Sequence, residues 1–268
     1  MNAASKWNDL APRLISGAAM AAGGLLLIWM GGYWFAALAI LCGGLMIWEL
    51  AAMTPAIRPF EAKGLGVLAG FVLALVLLGR NPFFMAALAL PPLLLLAAVL
   101  ARPDGQSRLY IPLYGAMIMG ASYGLVAFRE GYGMLWLLWL VLVVVVTDVA
   151  GYFAGRVFGG PKFWPSVSPK KTWSGIVAGW LAAAVIGAVF LKISTAGIDL
   201  LWISSVLAFA SQLGDIAESA IKRRAGVKDS SNLIPGHGGL MDRFDGLLGA
   251  ALLMLLVAQL TPVPVVRF

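Results

Sequence analysis

Charge is scarce in this chain: only 12% of its 268 residues are Asp, Glu, Lys or Arg. Soluble domains usually carry about 25%. So few charges cannot clothe a chain of this size against water, which excludes a soluble enzyme and equally a disordered chain. Cysteine is almost absent. The single thiol, Cys42, lies in the apolar run Ala36–Trp48 and reads as a small buried hydrophobe, so a disulfide scaffold is excluded. Histidine also occurs once, at His237, and one histidine makes no zinc site.

Apolar residues make up 61% of the chain, with a mean hydropathy of +0.92. What remains is a polytopic membrane protein: an all-α transmembrane helix bundle, read as one integral-membrane domain over 1–268. Its spans run to about 128, and further spans with polar loops that carry the site follow over 129–268. A bilayer crossing needs about 20 apolar helical residues. Nine runs qualify: Leu14–Met30, Tyr33–Met53, Gly64–Leu78, Pro82–Leu100, Ile111–Phe128, Met134–Gly155, Gly175–Leu191, Leu200–Ile221 and Gly246–Leu260. Gly31-Gly32, Thr54-Pro55, Asn81-Pro82, Pro103-Asp104-Gly105 and Gly159-Gly160-Pro161 punctuate them. Pro91-Pro92 falls inside the fourth and predicts a kink or a split there. Lys6 and Arg13 precede the first run without a small-residue cleavage site, so it reads as a span and not a removed leader.

Charge placement orients the spans. With a cytoplasmic N-terminus, 15 of the 19 Lys and Arg fall inside, and only Arg80, Arg129, Lys192 and Arg267 fall opposite. That bias follows the positive-inside rule. The net charge of +7 also attracts anionic lipid or phosphate. Two cytoplasmic loops are long and polar, Arg156–Ser174 and Lys222–Asp245, and function concentrates in such loops.

Carboxylates within or beside spans need partners, because hydrocarbon penalises them by a few kcal/mol or more. Glu49, near the end of the second span, reads as snorkelling to the interface or pairing with a loop arginine. Asp148 sits deep in an apolar run, with Tyr152 one helical turn on, and suggests a polar site. Asp215 and Glu218 share a helix face with Ser211, Gln212 and Ser219, and Asp242 and Asp245 are again three apart. Two such pairs around one loop suit a divalent cation with hard oxygen ligands, and a salt-bridge network with Lys222, Arg223 and Arg243 is the plainer alternative. Gly236, Gly238 and Gly239 around His237 let backbone N–H groups approach an anion. Lys170 and Lys171, framed by Ser168, Thr172 and Ser174, suit a polyphosphate. An interfacial anchor with Trp164 and Trp173 at the headgroups is equally open.

The ordered stretch Ser219-x-x-Lys222-Arg223, Lys228-Asp229, Pro235-x-His237-Gly238-Gly239 and Asp242-Arg243-x-Asp245 resembles the family pattern of phosphatidate cytidylyltransferases, the CDP-diacylglycerol synthases. Asp215-x-x-Glu218-Ser219 and Ser168-Pro169-Lys170-Lys171-Thr172 look like further family segments. The first half of the chain contributes hydropathy alone. The resemblance implies transfer of CMP from CTP to phosphatidic acid, with Mg²⁺ and room for a second, monovalent cation. It implies catalytic roles for Asp215, Asp242, Lys222 and Arg223, and a metal held among Asp215, Asp242, Asp245 and Asp148. Substrate contacts are expected at Ser168, Lys170, Lys171, Glu218, Ser219, Lys228, His237, Gly238, Gly239 and Arg243. Expected partners are CTP, phosphatidic acid and membrane lipids, without nucleic acid, and a homodimer is admitted. The expected location is a bacterial inner membrane, with the site facing the cytoplasm.

Three other readings compete. A transporter with Asp148 and Asp215 as coupling carboxylates predicts inverted repeats, and no repeat is found. A CDP-alcohol phosphotransferase needs aspartates further downstream, and none follows Asp245. A lipid scaffold has no use for carboxylates at the mouth of a basic pocket.

Overall fold

The computed structural model describes residues 10–79, 82–101 and 108–260, the side chains of 10–14 and 82 excepted. Lys6, Arg80, Arg102 and Arg267 of the charge count, and the Pro103-Asp104-Gly105 break, lie outside the described residues.

Among the described residues the chain is helical apart from one small hairpin. In chain order the helices are α1 (Leu10–Met30), α2 (Gly32–Ala52), α3 (Pro59–Gly79), α4 (Leu90–Leu100), α5 (Tyr110–Tyr132), α6 (Met134–Val157), α7 (Trp173–Leu191), α8 (Asp199–Arg224) and α9 (Met241–Leu260). A 3₁₀ segment, Pro82–Ala89, leads into α4. Strands β1 (Lys162–Trp164) and β2 (Ser168–Thr172) pair antiparallel between α6 and α7. Eight helical stretches are long and apolar enough to cross a bilayer, and Ile15–Met30 of α1 is a shorter apolar run. The chain is an all-α polytopic membrane protein. Its outer faces agree: Ile15, Trp29, Val67, Leu181 and Val185 are all exposed, an arrangement that suits lipid and not water.

The ends of the elements have local causes. The fourth predicted span splits as expected, with Pro91 and Pro92 in the first turn of α4, where a missing N–H costs nothing. α3 starts before the predicted Gly64, at Pro59, and the Glu61 carboxylate accepts from the Arg58 N–H at 2.8 Å, which fixes the first turn. Between α1 and α2 the chain reverses through Gly31 (φ 60°) and Gly32 (φ 48°), angles that a Cβ disfavours. The β-hairpin is not foreseen by the hydropathy reading, because its strands are too short and polar to alternate visibly. Its turn closes with the Val167 N–H donating to the Trp164 carbonyl at 3.2 Å.

The chain divides into two compact units. The first comprises Met1–Val126 and Arg224–Phe244. There α2 and α3 meet at glycines: a Cβ on Gly44 would lie 2.9 Å from the Gly66 carbonyl, and one on Gly66 2.6 Å from the Trp48 Cβ. Ile47, Leu50, Leu73, Leu95, Ile118 and Met119 fill this core. The second comprises Ala127–Arg223 and Asp245–Phe268. Its core holds Trp136 and Trp139 edge to face, with the Trp139 indole N–H donating to Ser204 Oγ at 3.2 Å. Glycines again set the spacing. A Cβ on Gly175 would come within 2.6 Å of the Gly151 carbonyl, and one on Gly246 within 2.7 Å of Ser211 Oγ. α6 therefore lies against α7, and α8 against α9, almost backbone to backbone.

Candidate active site

In the second unit, that close packing gathers the acids. Asp215 and Glu218 lie one turn apart on α8, and Asp245 faces them from α9. An oxygen from each falls within 4.8 Å of the other two. Three like charges this close repel strongly unless a cation lies among them. Two lysines answer part of the charge. Lys171 Nζ is 2.5 Å from Asp215 Oδ2, and Lys222 Nζ is 2.5 Å from the fully buried Glu218 Oε2. Ser219 Oγ donates to Asp215 Oδ1 at 3.3 Å, and the Gly246 N–H donates to Asp245 Oδ1 at 2.7 Å. Hard carboxylate oxygens from two helices suit a divalent cation that takes oxygen ligands.

Beside this cluster is a cavity of about 360 Å³, lined by α6, β2, α7 and α8. That volume lies within the range of roughly 300–1,000 Å³ usual for small-molecule sites. Asp148, Tyr152 and Arg156 face it from successive turns of α6, Lys170 and Lys171 from β2, and Gln212 and Asp215 from α8. Arg156 Nη1 donates to Tyr152 Oη at 2.9 Å. Lys171 Nζ also donates to the Gln212 carbonyl at 3.4 Å, so the ammonium is held at the cavity wall by two oxygens. The Gln212 amide is itself fixed: it accepts from Trp180 Nε1 at 3.0 Å and donates to the Ile176 carbonyl at 3.3 Å. Thr172 caps α7, accepting from the Gly175 N–H at 3.3 Å, and joins β2 rigidly to that helix.

The first unit holds the rest of the motif, the loop 225–240. Asp242 Oδ2 accepts from the Ser230 N–H at 2.9 Å, Ser230 Oγ at 3.0 Å and the Gly239 N–H at 2.7 Å. The loop bridges back on itself, with the Ile234 N–H donating to the Gly238 carbonyl at 2.8 Å. Gly238 (φ 82°) leaves no room for a Cβ beside Asp242. His237 meets α1, where Ser16 Oγ lies 2.8 Å from its Nδ1, and Arg243 Nε donates to the His237 carbonyl at 3.0 Å. Arg224 stacks over the Tyr110 ring at 4.7 Å.

The structure thus brings together Asp215, Glu218, Asp245, Lys171 and Lys222, with Asp148 and Lys170 lining the adjoining cavity. Ser168 opens β2, and Arg223 lies exposed at the end of α8. Lys228, His237, Gly238, Gly239, Asp242 and Arg243 belong to the first unit. Arg156 and Gln212 gain places at the cavity that the hydropathy reading did not give them. Glu49 departs most from expectation. It does not snorkel but is fully buried, and it accepts from loop residues and not from an arginine. An interfacial placement fails because its side chain lies on the core face of α2 and four donors meet it there.

Known proteins resemble this chain along most of its length. A model of the cytidylyltransferase family matches residues 11–261. A protein of Brucella suis biovar 1 named phosphatidate cytidylyltransferase is 34% identical over 267 residues, covering 96% of each chain. Proteins of the same name from Bacillus subtilis and Haemophilus influenzae are 39% and 41% identical, over 44% of this chain in each case. The chain belongs to the cytidylyltransferase family.

Proposed function

We propose that this chain is a phosphatidate cytidylyltransferase, making CDP-diacylglycerol and pyrophosphate from CTP and phosphatidic acid. The observation that carries the reading is the cavity in which Lys170, Lys171 and Arg156 face Asp148 and Asp215, beside the Asp215, Glu218 and Asp245 cluster. Cations for phosphate and acids for a metal stand side by side, as a reaction between two anions requires.

A phosphate oxygen of phosphatidic acid attacks the α-phosphorus of CTP. One P–O bond forms, the bond to the bridging oxygen of the β-phosphate breaks, and that electron pair leaves with pyrophosphate. The nucleophile is already an anion, so no side chain need remove a proton from it. Lys170 and Lys171 hold phosphate oxygens and offset the charge that gathers on the leaving group. Lys222, kept in place by Glu218, with Arg223, Lys228 and Arg243, supplies further positive charge for the two substrates. Ser168, Ser219, His237, Gly238 and Gly239 contribute hydrogen-bond donors to the same anions. Asp215, Glu218 and Asp245 would hold Mg²⁺, which would supply positive charge to offset that of the CTP phosphates. Asp148 is proposed as a ligand from the cavity wall. Asp242 is proposed on its three-residue spacing to Asp245 alone.

The whole chain 1–268 works as one integral-membrane domain in a bacterial inner membrane, its site open to the cytoplasm. The reading is tested by incubating the purified protein in detergent with labelled CTP, phosphatidic acid and Mg²⁺. The expected result is label in the lipid fraction. A folded, monodisperse protein that incorporates none overturns it.

A further inference from the structure

We infer that Glu49 is a positioning residue of the transfer reaction, holding the 225–240 loop in its working shape from within the first unit. The inference rests on the function proposed above, but not on any metal or substrate contact of Glu49 itself.

Glu49 lies in the last turn of α2, some 180 residues before the loop, and has no exposed surface. Both of its oxygens are engaged. Oε1 accepts from Ser231 Oγ at 2.6 Å and from the Leu240 N–H at 2.9 Å. Oε2 accepts from the Met241 N–H at 2.7 Å, and Ser230 Oγ, whose one proton serves either Glu49 or Asp242, lies 3.2 Å from it. The donors come from Ser230-Ser231 within the loop and from Leu240-Met241 where it returns into α9. One carboxylate therefore ties the loop shut. Gly239 packs into the same contact: a Cβ there would collide with Ser230 Oγ and would meet Glu49 Oε1 at 2.5 Å and the Ser231 N at 2.9 Å.

The arrangement suits a charged acceptor. The Leu240 and Met241 amides are the unpaired donors at the start of α9, where the helix dipole favours an anion. Ser230 is shared: its hydroxyl lies within hydrogen-bond distance of both Glu49 Oε2 and Asp242 Oδ2, so the two carboxylates fix the same backbone. The loop carries Lys228 and His237, and Arg243 follows its return, so a shift at Glu49 moves three groups proposed to meet phosphate. Neutral glutamine would place an amide N–H₂ against donors and could not accept all four bonds.

The test is Glu49→Gln, Glu49→Asp and Ser231→Ala in the full-length protein, purified in detergent. A misplacement of about 1 Å can cost on the order of 100-fold in rate, and a loss of that order in kcat is expected for Glu49→Gln. The KM for CTP should change less than kcat. Glu49→Asp should recover part of the loss, and Ser231→Ala should lose about tenfold, one charge-assisted hydrogen bond. Combined with Glu49→Gln, Ser231→Ala should add little. Deuterium exchange of 230–241 should quicken in Glu49→Gln while the helices keep their protection. A folded Glu49→Gln with kcat within twofold of the parent, or losses that add in the double variant, overturns the inference. If Glu49→Gln does not fold, Ser231→Ala carries the test through the same exchange measurement. Unchanged protection at 240–241 in Ser231→Ala, with unchanged kcat, then overturns it. A parent protein that makes no labelled lipid is the distinct failure of the proposed function, and it leaves the exchange result standing.

Discussion

Three acids within 4.8 Å pose the sharpest question at the scale of single residues. Lys171 and Lys222 each touch one of them, and Asp245 is met by a backbone N–H. Two ammoniums answer three carboxylates, so one negative charge is left over, and a metal ion among the same oxygens would offset it. This predicts opposite effects of one substitution. Asp245→Asn should melt at a higher temperature than the parent in the presence of a chelator, since it removes a like charge from the cluster. The proposed site predicts that Mg²⁺ raises the parent's stability by about 2.7 kcal/mol at a hundredfold excess over Kd, and Asp245→Asn should lose that rise. Thermal melts in chelator and in Mg²⁺ check both. Activity of Asp215→Asn and Asp245→Asn should fall by roughly 10²–10³-fold, the scale of losing one charge-stabilising group. Lys171 carries a separate expectation. Its ammonium is held at the cavity wall by Asp215 and the Gln212 carbonyl, so Lys171→Met should raise the KM for CTP and lower kcat. Lys171→Arg should keep more of both, and initial rates over a CTP series distinguish them.

Helices bring these residues together, and glycine sets how closely they approach. A Cβ on Gly249 would lie 3.1 Å from the Gly214 Cα, and one on Gly246 would press on Ser211, so α8 and α9 touch along a line that ends at Asp215 and Asp245. Gly249→Val should part them, at a cost of about 1–3 kcal/mol, the usual penalty of overpacking. It should weaken the Mg²⁺-dependent rise in melting temperature as well. Gly23→Val on α1, where nothing lies within 4 Å, is the control and should change neither. This is also the scale at which the sequence was most and least legible. Helix identity was plain, because runs such as Val143–Val146 and Leu93–Leu96 admit little else in a membrane chain. Boundaries slipped where polar residues continue a helix. Lys222–Arg224 read as loop, yet they extend α8 along its existing hydrogen bonds, and α9 begins at Met241, where Glu49 accepts from the Leu240 and Met241 amides. The i, i+3 spacing of Asp215 and Glu218 marked the acid cluster correctly. The pair Asp242 and Asp245 is equally visible in the sequence; that Asp245 joins Asp215 and Glu218, while Asp242 accepts from Ser230 and Gly239, is a matter of packing that spacing along the chain does not encode. Glu49 was misread for the same reason: its partners lie far away in sequence and are mostly backbone N–H groups and hydroxyls, which leave no charge pattern to notice.

At the scale of the whole molecule the question is which side of the membrane each loop faces. Two candidate spans, α7 and α8, separate the hairpin after α6 from the loop after α8 along the chain, so the expected topology puts both on one side and the turn between α7 and α8 on the other. The basic residues make the assignment. Arg156, Lys162, Lys170 and Lys171 flank or lie in the hairpin, and Lys222, Arg223, Arg224 and Lys228 flank or lie in the loop, whereas the opposite turn offers Lys192 alone. Each cation near the inner leaflet gains about 1 kcal/mol from anionic lipid, and translocating clusters of them is disfavoured during insertion. CTP, the nucleotide proposed as substrate, is a cytoplasmic metabolite with four negative charges, so the proposed function expects the cation-rich loops on the cytoplasmic side. The expectation is checked with the lone thiol removed as Cys42→Ala. Lys228→Cys and Lys162→Cys should react with a membrane-impermeant maleimide only in inside-out vesicles, and Thr195→Cys only in intact cells whose outer membrane has been opened. Labelling of positions 162 and 228 on opposite sides would break the two-span separation. Labelling of both from outside would reverse the orientation and remove CTP as the nucleotide these loops could reach.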